Sequence, residues 1–391
     1  MNAMALFSQP LYPKSPKIEK LAMGDLVRAD LAFAAAQYKV LMNNTPPGRM
    51  PRTYDVSRDS VLTTDSRWWC SGFYPGTLWY LYEATGDTVI REEAVKRLAL
   101  LEAERFNTHD HDLGFKMYCS FGNAYRITHD PAYKAIIFEA ARSLSTRYRP
   151  SIRCIQSWDS SANFKCPVII DNMMNLELLE WTSHNGGDRR LDSIAVNHAN
   201  TTLKNHVRPD YSTWHVVDYD LRSGKVLRKA TWQGAADSSA WSRGQAWALY
   251  GYTVMYRFTK DTAYLSAAEH IAQFILHHPH LPADGIPYWD FDAPGIPHTF
   301  RDVSAAAVMA SALTELVQYS REHKDQYLAA AERILRSLSS SAYLAKLGTN
   351  GGFLEKHSIG ALPLNVEVDV PLSYADYYFI EALLRYKKWY L

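Results

Sequence analysis

Ile127-Thr128-His129-Asp130-Pro131-Ala132-Tyr133 reads as the end of one helix and the start of the next. Asp130 is placed to accept hydrogen bonds from the first turn of the second helix, whose leading N–H groups have no partner within the helix. Tyr133 can pack back on the helix before it. The same order returns in Phe258-Thr259-Lys260-Asp261-Thr262-Ala263-Tyr264 and, in shorter form, in Ala84-Thr85-Gly86-Asp87. Weaker copies are Asn185-Gly186-Gly187-Asp188 and His323-Lys324-Asp325-Gln326-Tyr327. The intervals between copies vary too much for a strict solenoid, but they suit repeated antiparallel helix pairs.

Outward from these turns, apolar residues at helical spacing cover 17–43, 77–84, 88–106, 114–128, 131–148, a segment starting near Asp171, 188–206, 242–258, 262–277, 302–321, 326–345 and 374–390. About a dozen paired helices predict an all-α fold, an α/α toroid whose active residues sit on loops and helix starts at one end. The expected organisation is one catalytic domain over 1–391, with 1–16 as an N-terminal arm. Strand signals are few. Thr213 to Asp220 and Lys225 to Trp232 read as a hairpin turning at Arg222-Ser223-Gly224, and a short β-like piece falls within 353–370. Asn43 to Ser66, with Pro46, Pro47, Gly48 and Pro51, reads as a loop, and 149–170 as irregular.

The 391 residues are 47% apolar and 21% charged, ordinary material for a soluble globular chain with a sizeable core. Lys plus Arg number 42 against 41 Asp plus Glu, so the net charge of +1 argues against broad attraction to nucleic acid or a membrane surface. No apolar run approaches the roughly 18 residues of a membrane helix, so membrane insertion is not expected. Met1 to Pro16 carries no signal-type apolar segment. The expected location is periplasmic for a chain that has lost a leader and cytoplasmic otherwise; oligomeric state is left open. Cys70, Cys119, Cys154 and Cys166 lie far apart and read as free, mostly buried thiols. The 25 Tyr, 14 Phe and 11 Trp often stand beside Gly, Asp, His or Arg, as in clefts where a ring covers the C–H face of a sugar and polar neighbours hold its hydroxyls.

Three stretches look unlike packing. In Val168-Ile169-Ile170-Asp171-Asn172-Met173-Met174-Asn175-Leu176, Asp171 closes an apolar run and opens a helix, where Asp commonly serves as a cap. Asn175 shares its face and can look into the same cavity. In His109-Asp110-His111-Asp112-Leu113-Gly114-Phe115 the spacing fits no metal-ligand set, so neither metal nor cofactor is expected. The His277-His278-Pro279-His280 group reads as a solvated helix end. The third stretch runs from Tyr211 to Trp247. Within it Ser242 and Gln245 match a capping box, and Arg243 and Trp247 share a helix face as an anion clamp beside a stacking wall. Asp112 and Asp171 at loop-to-helix positions in an aromatic cleft point to glycoside chemistry, in which one carboxyl keeps a proton. A helix start lowers such a pKa, whereas a second carboxylate and an apolar wall raise it.

His-Asp-Leu-Gly-Phe (111–115), Asp-Asn-Met-Met-Asn-Leu (171–176), Trp-His-Val-Val-Asp (214–218) and Gln-Gly-x-x-Asp-x-Ser-x-Trp-x-Arg-Gly-Gln-Ala-Trp (233–247) together resemble the unsaturated glucuronyl hydrolases, glycoside hydrolase family 88. The resemblance extends from about Trp69 to the C-terminus and includes Lys356-His357-Ser358-Ile359-Gly360 and Tyr374-Ala375-Asp376-Tyr377-Tyr378. It implies an (α/α)6 barrel, or six-hairpin toroid. It also implies a reaction at the Δ4,5-unsaturated uronic acid on the non-reducing end of a polysaccharide-lyase product of glycosaminoglycan type. An acid protonates C4, water adds at C5, and the hemiketal opens to release the remaining sugar.

By the same resemblance Asp171 is the general acid/base and Asp112 the second essential carboxylate. His111, His215, Gln233, Arg243 and His357 surround the substrate, and Trp158, Trp247 and Trp69 (or its neighbour Trp68) form aromatic walls. Trp232 stands where some relatives carry His. Asn365 and Glu367 fall where sulfate-binding relatives carry Ser and Lys, and no sulfate preference is assigned. The alternatives are an unsaturated rhamnogalacturonyl hydrolase and an inactive sugar-binding α/α barrel; retention of both Asp112 and Asp171 argues against the second.

Overall fold

The computed structural model describes residues 21–391, so the expected arm at 1–16 lies outside the described residues. The helices are α1 (Met23–Asn44), α2 (Phe73–Thr85), α3 (Thr88–Leu101), a π-type run (Gly114–Gly122) that continues as α4 (Asn123–Thr128), α5 (Pro131–Ser145), α6 (Asn172–His184), α7 (Arg190–Asn205), α8 (Ser242–Thr259), α9 (Thr262–His277), α10 (Val303–Leu316), α11 (Lys324–Leu338) and α12 (Ser373–Tyr390). An inner ring runs from α2 to the π-type run, then α6, α8, α10 and α12, which closes back on α2. Outside it, α3 backs α2, α5 backs the π-type run, α7 backs α6, α9 backs α8, α11 backs α10, and α1 lies against both α12 and α2. This is the expected (α/α)6 barrel.

Composition decides which helices go inside. Every residue of α10, Val-Ser-Ala-Ala-Ala-Val-Met-Ala-Ser-Ala-Leu-Thr-Glu-Leu, is buried, and α8 is buried from Ser242 to Met255. A helix apolar or small on all sides has no face for water and belongs at the centre. By contrast, α11 buries Tyr327, Ala330, Ala331, Ile334, Leu335 and Leu338, a single stripe at helical spacing. A side chain such as Leu313 or Met309, with no exposed surface, contributes about 2 kcal/mol of burial.

The turn residues act as their sequence implies. Asp87, Asp130 and Asp261 accept from the N–H groups of Val89, Ala132 and Ala263 at 3.0, 2.9 and 2.9 Å. The weaker copies differ. Asp188 accepts from Arg190 N just ahead of α7, and Asp325 lies inside the first turn of α11, where His323 is the boundary residue.

The strands hold the differences from expectation. Residues 43–66 are not all loop: β1 (Met50–Asp55) and β2 (Ser60–Thr64) form an antiparallel hairpin. Its register shifts between Pro51 and Thr53, a bulge that accommodates a proline without an N–H. After β3 (Tyr148–Arg149) and β4 (Cys154–Ile155), the expected hairpin appears as β6 (Val216–Tyr219) and β7 (Val226–Ala230). A third strand, β5 (Pro167–Ile169), pairs with the free side of β6, in a stretch that reads as irregular. The β-like piece in 353–370 is the hairpin of β8 (Ser358–Ala361) and β9 (Val366–Val370). The β5–β6–β7 sheet positions the site, because β5 leads into Asp171, His215 precedes β6, and Gln233 follows β7.

Candidate active site

Asp171 leaves β5 and adopts helical backbone angles at the start of α6, φ −55° and ψ −28°. Its side chain makes no capping bond, contrary to the capping role its position suggests. Its Oδ2 is buried without a hydrogen-bond partner and faces His215 Nε2, likewise unpartnered, at 3.7 Å. The pairing of β5 with β6 explains the meeting: Ile169 stands opposite Val216, and Ile170 N donates to His215 O at 3.0 Å. Asn175, four residues on, is fully buried; its Oδ1 accepts from Phe115 N at 3.1 Å, and its Nδ2 has no hydrogen-bond partner.

The tautomer of His215 follows from its neighbours. Its Nδ1 faces two backbone donors, Trp232 N at 3.1 Å and Gln233 N at 3.3 Å, and so must accept. The proton of the neutral ring is therefore on Nε2, aimed at Asp171. Burial, aided by Arg243, lowers the imidazole pKa to about 3, so His215 is a neutral donor and the contact is no ion pair.

His111 and Asp112 come from the turn before the π-type run. His111 Nε2 lies 3.4 Å from Asp112 Oδ1, and burial lowers its pKa to about 4. Asp110, beside them, is not a metal ligand in waiting. Burial works to raise its pKa, but the buried Lys116 ammonium at 2.9 Å outweighs this and holds it below the usual value. Asp112 responds in the opposite direction: burial first, and then the Asp110 charge, raise it well above a normal carboxyl. Asp110 therefore carries the charge and Asp112 the proton.

Burial lifts the Asp171 carboxyl to about 6, against the pull of His111 and of Arg243, with a smaller push from Asp112. Apolar burial and the second carboxylate thus both act in the expected direction, with unequal weight. Desolvation dominates, and a protonated Asp112 has little charge with which to repel.

The other expected residues divide into two groups. Trp69 is half-buried, 4.8 Å from Tyr374 and 5.6 Å from Phe115 between ring centres. Trp158 packs edge-on to Phe164, which meets the exposed Trp232 at 5.8 Å. Gln233 Nε2 donates to Gly360 O at 3.0 Å, tying the end of β7 to β8. His357, with φ +63°, places Nδ1 2.7 Å from Asp369 Oδ1.

Arg243 and Trp247 face inward. Arg243 pairs with the buried Asp302 at 2.8 Å, donates to the carbonyls of Ile359 and Gly360, and lies over Trp241 at 4.4 Å rather than over Trp247. Trp247 is fully buried against Phe115 and Tyr378, so it backs the wall without forming its surface. Ser242 and Gln245 form no capping box. The helix boundary is Trp241; Ser242 Oγ donates to Tyr288 O, and Gln245 Oε1 accepts from Thr213 N at 2.9 Å. Sequence reading passed over Trp241, Tyr374 and Asp302. The first two sit inside quoted motifs; Asp302 carries no local signal of its pairing with Arg243.

No family model matches the chain. An unsaturated glucuronyl hydrolase of Formosa agariphila is 46% identical over 359 residues, covering 89% of each chain. The chain belongs to the unsaturated glucuronyl hydrolases. It is accordingly a glycoside hydrolase. A crystal structure of an unsaturated glucuronyl hydrolase specific for heparin matches with a TM-score of 0.90 at 46% identity, over 93% of this chain and 97% of that one. A mutant unsaturated glucuronyl hydrolase from Streptococcus agalactiae, solved in complex with dGlcA-GalNAc6S, matches with a TM-score of 0.80 at 28% identity over 98% and 99%. These unsaturated glucuronyl hydrolases share the barrel; among the described residues of this one, no helix is long and apolar enough to cross a membrane.

Proposed function

We propose that the chain hydrolyses lyase-generated glycosaminoglycan oligosaccharides by hydrating the vinyl ether of their terminal Δ4,5-unsaturated uronic acid. Asp171 protonates C4. Its carboxylate then takes a proton from the water that adds at C5, so the acid is regenerated and the net change is addition of one water. The resulting hemiketal opens, and the C–O bond to the remaining sugar breaks. The observation that carries this reading is the Asp171 carboxyl, with a buried, unpartnered oxygen opposite a neutral His215 N–H and a pKa near 6. An acid at that pKa is half protonated at about pH 6, keeps about a tenth of its protonated form one pH unit higher, and is a strong enough donor to act.

His215 holds Asp171 in place and follows its charge. Asp112, protonated, donates to a substrate hydroxyl beside His111. Trp69 and Trp158 offer ring faces at the mouth, and Gln233 and His357 line its rim. Arg243 acts through its fixed positive charge and through the β8 carbonyls it holds, because its terminal nitrogens are already engaged. The names of the relatives support the glucuronyl reading over the rhamnogalacturonyl one. The test is a panel of unsaturated disaccharides from chondroitin, hyaluronan, heparin and pectin-type lyases, followed by loss of ultraviolet absorbance. Turnover of the glycosaminoglycan-derived members is expected; turnover of the pectin-type member alone would refute the reading.

A further inference from the structure

Glu180 lies nine residues along α6 from Asp171, about 13 Å up the helix axis, on the side that faces α7. The α6–α7 hairpin turns through Asn185-Gly186-Gly187-Asp188, with Gly186 at φ +94°, a conformation that suits glycine. The turn brings Asp192, in the first turn of α7, back beside Glu180 and His184. Among the described residues, donor atoms of Glu180, His184 and Asp192 all lie within 4.8 Å of one another.

Glu180 is the unusual member. It has no exposed surface, and neither carboxylate oxygen has a hydrogen-bond partner. A buried, unpaired carboxylate next to a second one is unfavourable unless a proton or a cation joins them. His184 separates these two solutions. Its Nδ1 donates to Glu180 O at 2.9 Å, which leaves the lone pair of the neutral ring on Nε2, and its side chain is 43% exposed, which opens the cluster to solvent. A shared proton needs no third group, whereas a cation needs further donors.

We propose that Glu180, His184 and Asp192 bind a divalent transition metal of the zinc type, clasping α6 to α7. One imidazole nitrogen and two carboxylate oxygens, with water in the fourth position, suit zinc; calcium and magnesium prefer all-oxygen shells. The ligands must shed their protons, so loading releases protons to solvent. The ion is structural and stands apart from Asp171, so turnover does not depend on it.

The test uses the full chain, stripped with a chelator and titrated with Zn²⁺. Calorimetry is expected to find one saturable site per chain, and the thermal midpoint is expected to rise by about 3 °C at saturating ion. His184→Ala, at a half-exposed position that preserves the fold, weakens binding at least about tenfold and removes the midpoint shift while leaving turnover of an unsaturated disaccharide intact. Glu180→Gln does the same to binding. Equal Zn²⁺ uptake by the wild type and His184→Ala would put the ion on other histidines, such as His277, His278 and His280, and overturn the assignment. No saturable uptake by the wild type would leave the carboxyls sharing a proton and overturn it as well.

Discussion

His215 Nε2 faces Asp171 Oδ2 across 3.7 Å, although 43 residues separate the two in the chain (215 − 171 − 1). Strand register brings them together: β5 ends at Ile169 opposite Val216, so the residues just past each strand end meet. The turn after β7 then fixes the imidazole by aiming the N–H groups of Trp232 and Gln233 at Nδ1. Three strands thus set one proton position, and the barrel supplies the burial that lifts the acid.

The pH profile follows from that burial. The folded pKa of Asp171 is raised to about 6, and the proposed mechanism uses its protonated form. The value of kcat/KM is therefore expected to fall as pH rises through about 6, approaching tenfold per unit beyond it. Initial rates on an unsaturated disaccharide between pH 4.5 and about 8.5 check this. A rate that climbs across the same interval would mean that the carboxylate, rather than the acid, starts the reaction.

Gly114 allows the π-type run to lie directly on α6. A Cβ there would meet Asn175 Cα at 2.6 Å, a backbone atom that cannot turn aside. Gly114→Ala is expected to cost about 2 kcal/mol of stability and, by displacing the turn that holds His111 and Asp112, to lower kcat. Urea unfolding and steady-state kinetics measure the two effects. Unchanged stability would show that the two helices separate without cost.

Asp302 accepts from Ser304 N at the start of α10 and neutralises Arg243, and both side chains of the pair are essentially without exposure. Asp302→Ala leaves a buried guanidinium unpaired and is expected to destabilise the fold by about 4 kcal/mol. The urea midpoint should fall with little change in slope. A loss below about 1 kcal/mol would mean that the β8 carbonyls alone satisfy Arg243.

The barrel was legible because its signals are local. Helical periodicity and the aspartates at 87, 130 and 261 each act within a few residues, and the three capping bonds form as read. The strands were harder. Pro167-Val168-Ile169 is short and wholly buried, so it lacks the alternation that marks a half-exposed strand. At 50–64 the prolines mask a hairpin that tolerates Pro51 only through a bulge. Asp171, Asp112, His111 and His215 were identifiable as a set only through family resemblance, since register, not spacing, joins them. Asp218 in the Trp-His-Val-Val-Asp motif is structural, accepting from Lys165 N and Cys166 N at 2.9 and 2.8 Å. Arg243 and Trp247 share a helix face, but their environment comes from Asp302, β8 and Tyr378, distant elements that a helical wheel does not contain.

The central claim is that Asp171 supplies the proton, and Asp171→Asn tests it most directly. Asparagine keeps the size of the side chain and its contact with His215 but has no proton acidic enough to donate. The variant is expected to retain the wild-type circular dichroism spectrum and bind an unsaturated disaccharide, with no measurable loss of the substrate's ultraviolet absorbance. Substantial residual turnover by the folded variant would contradict the account.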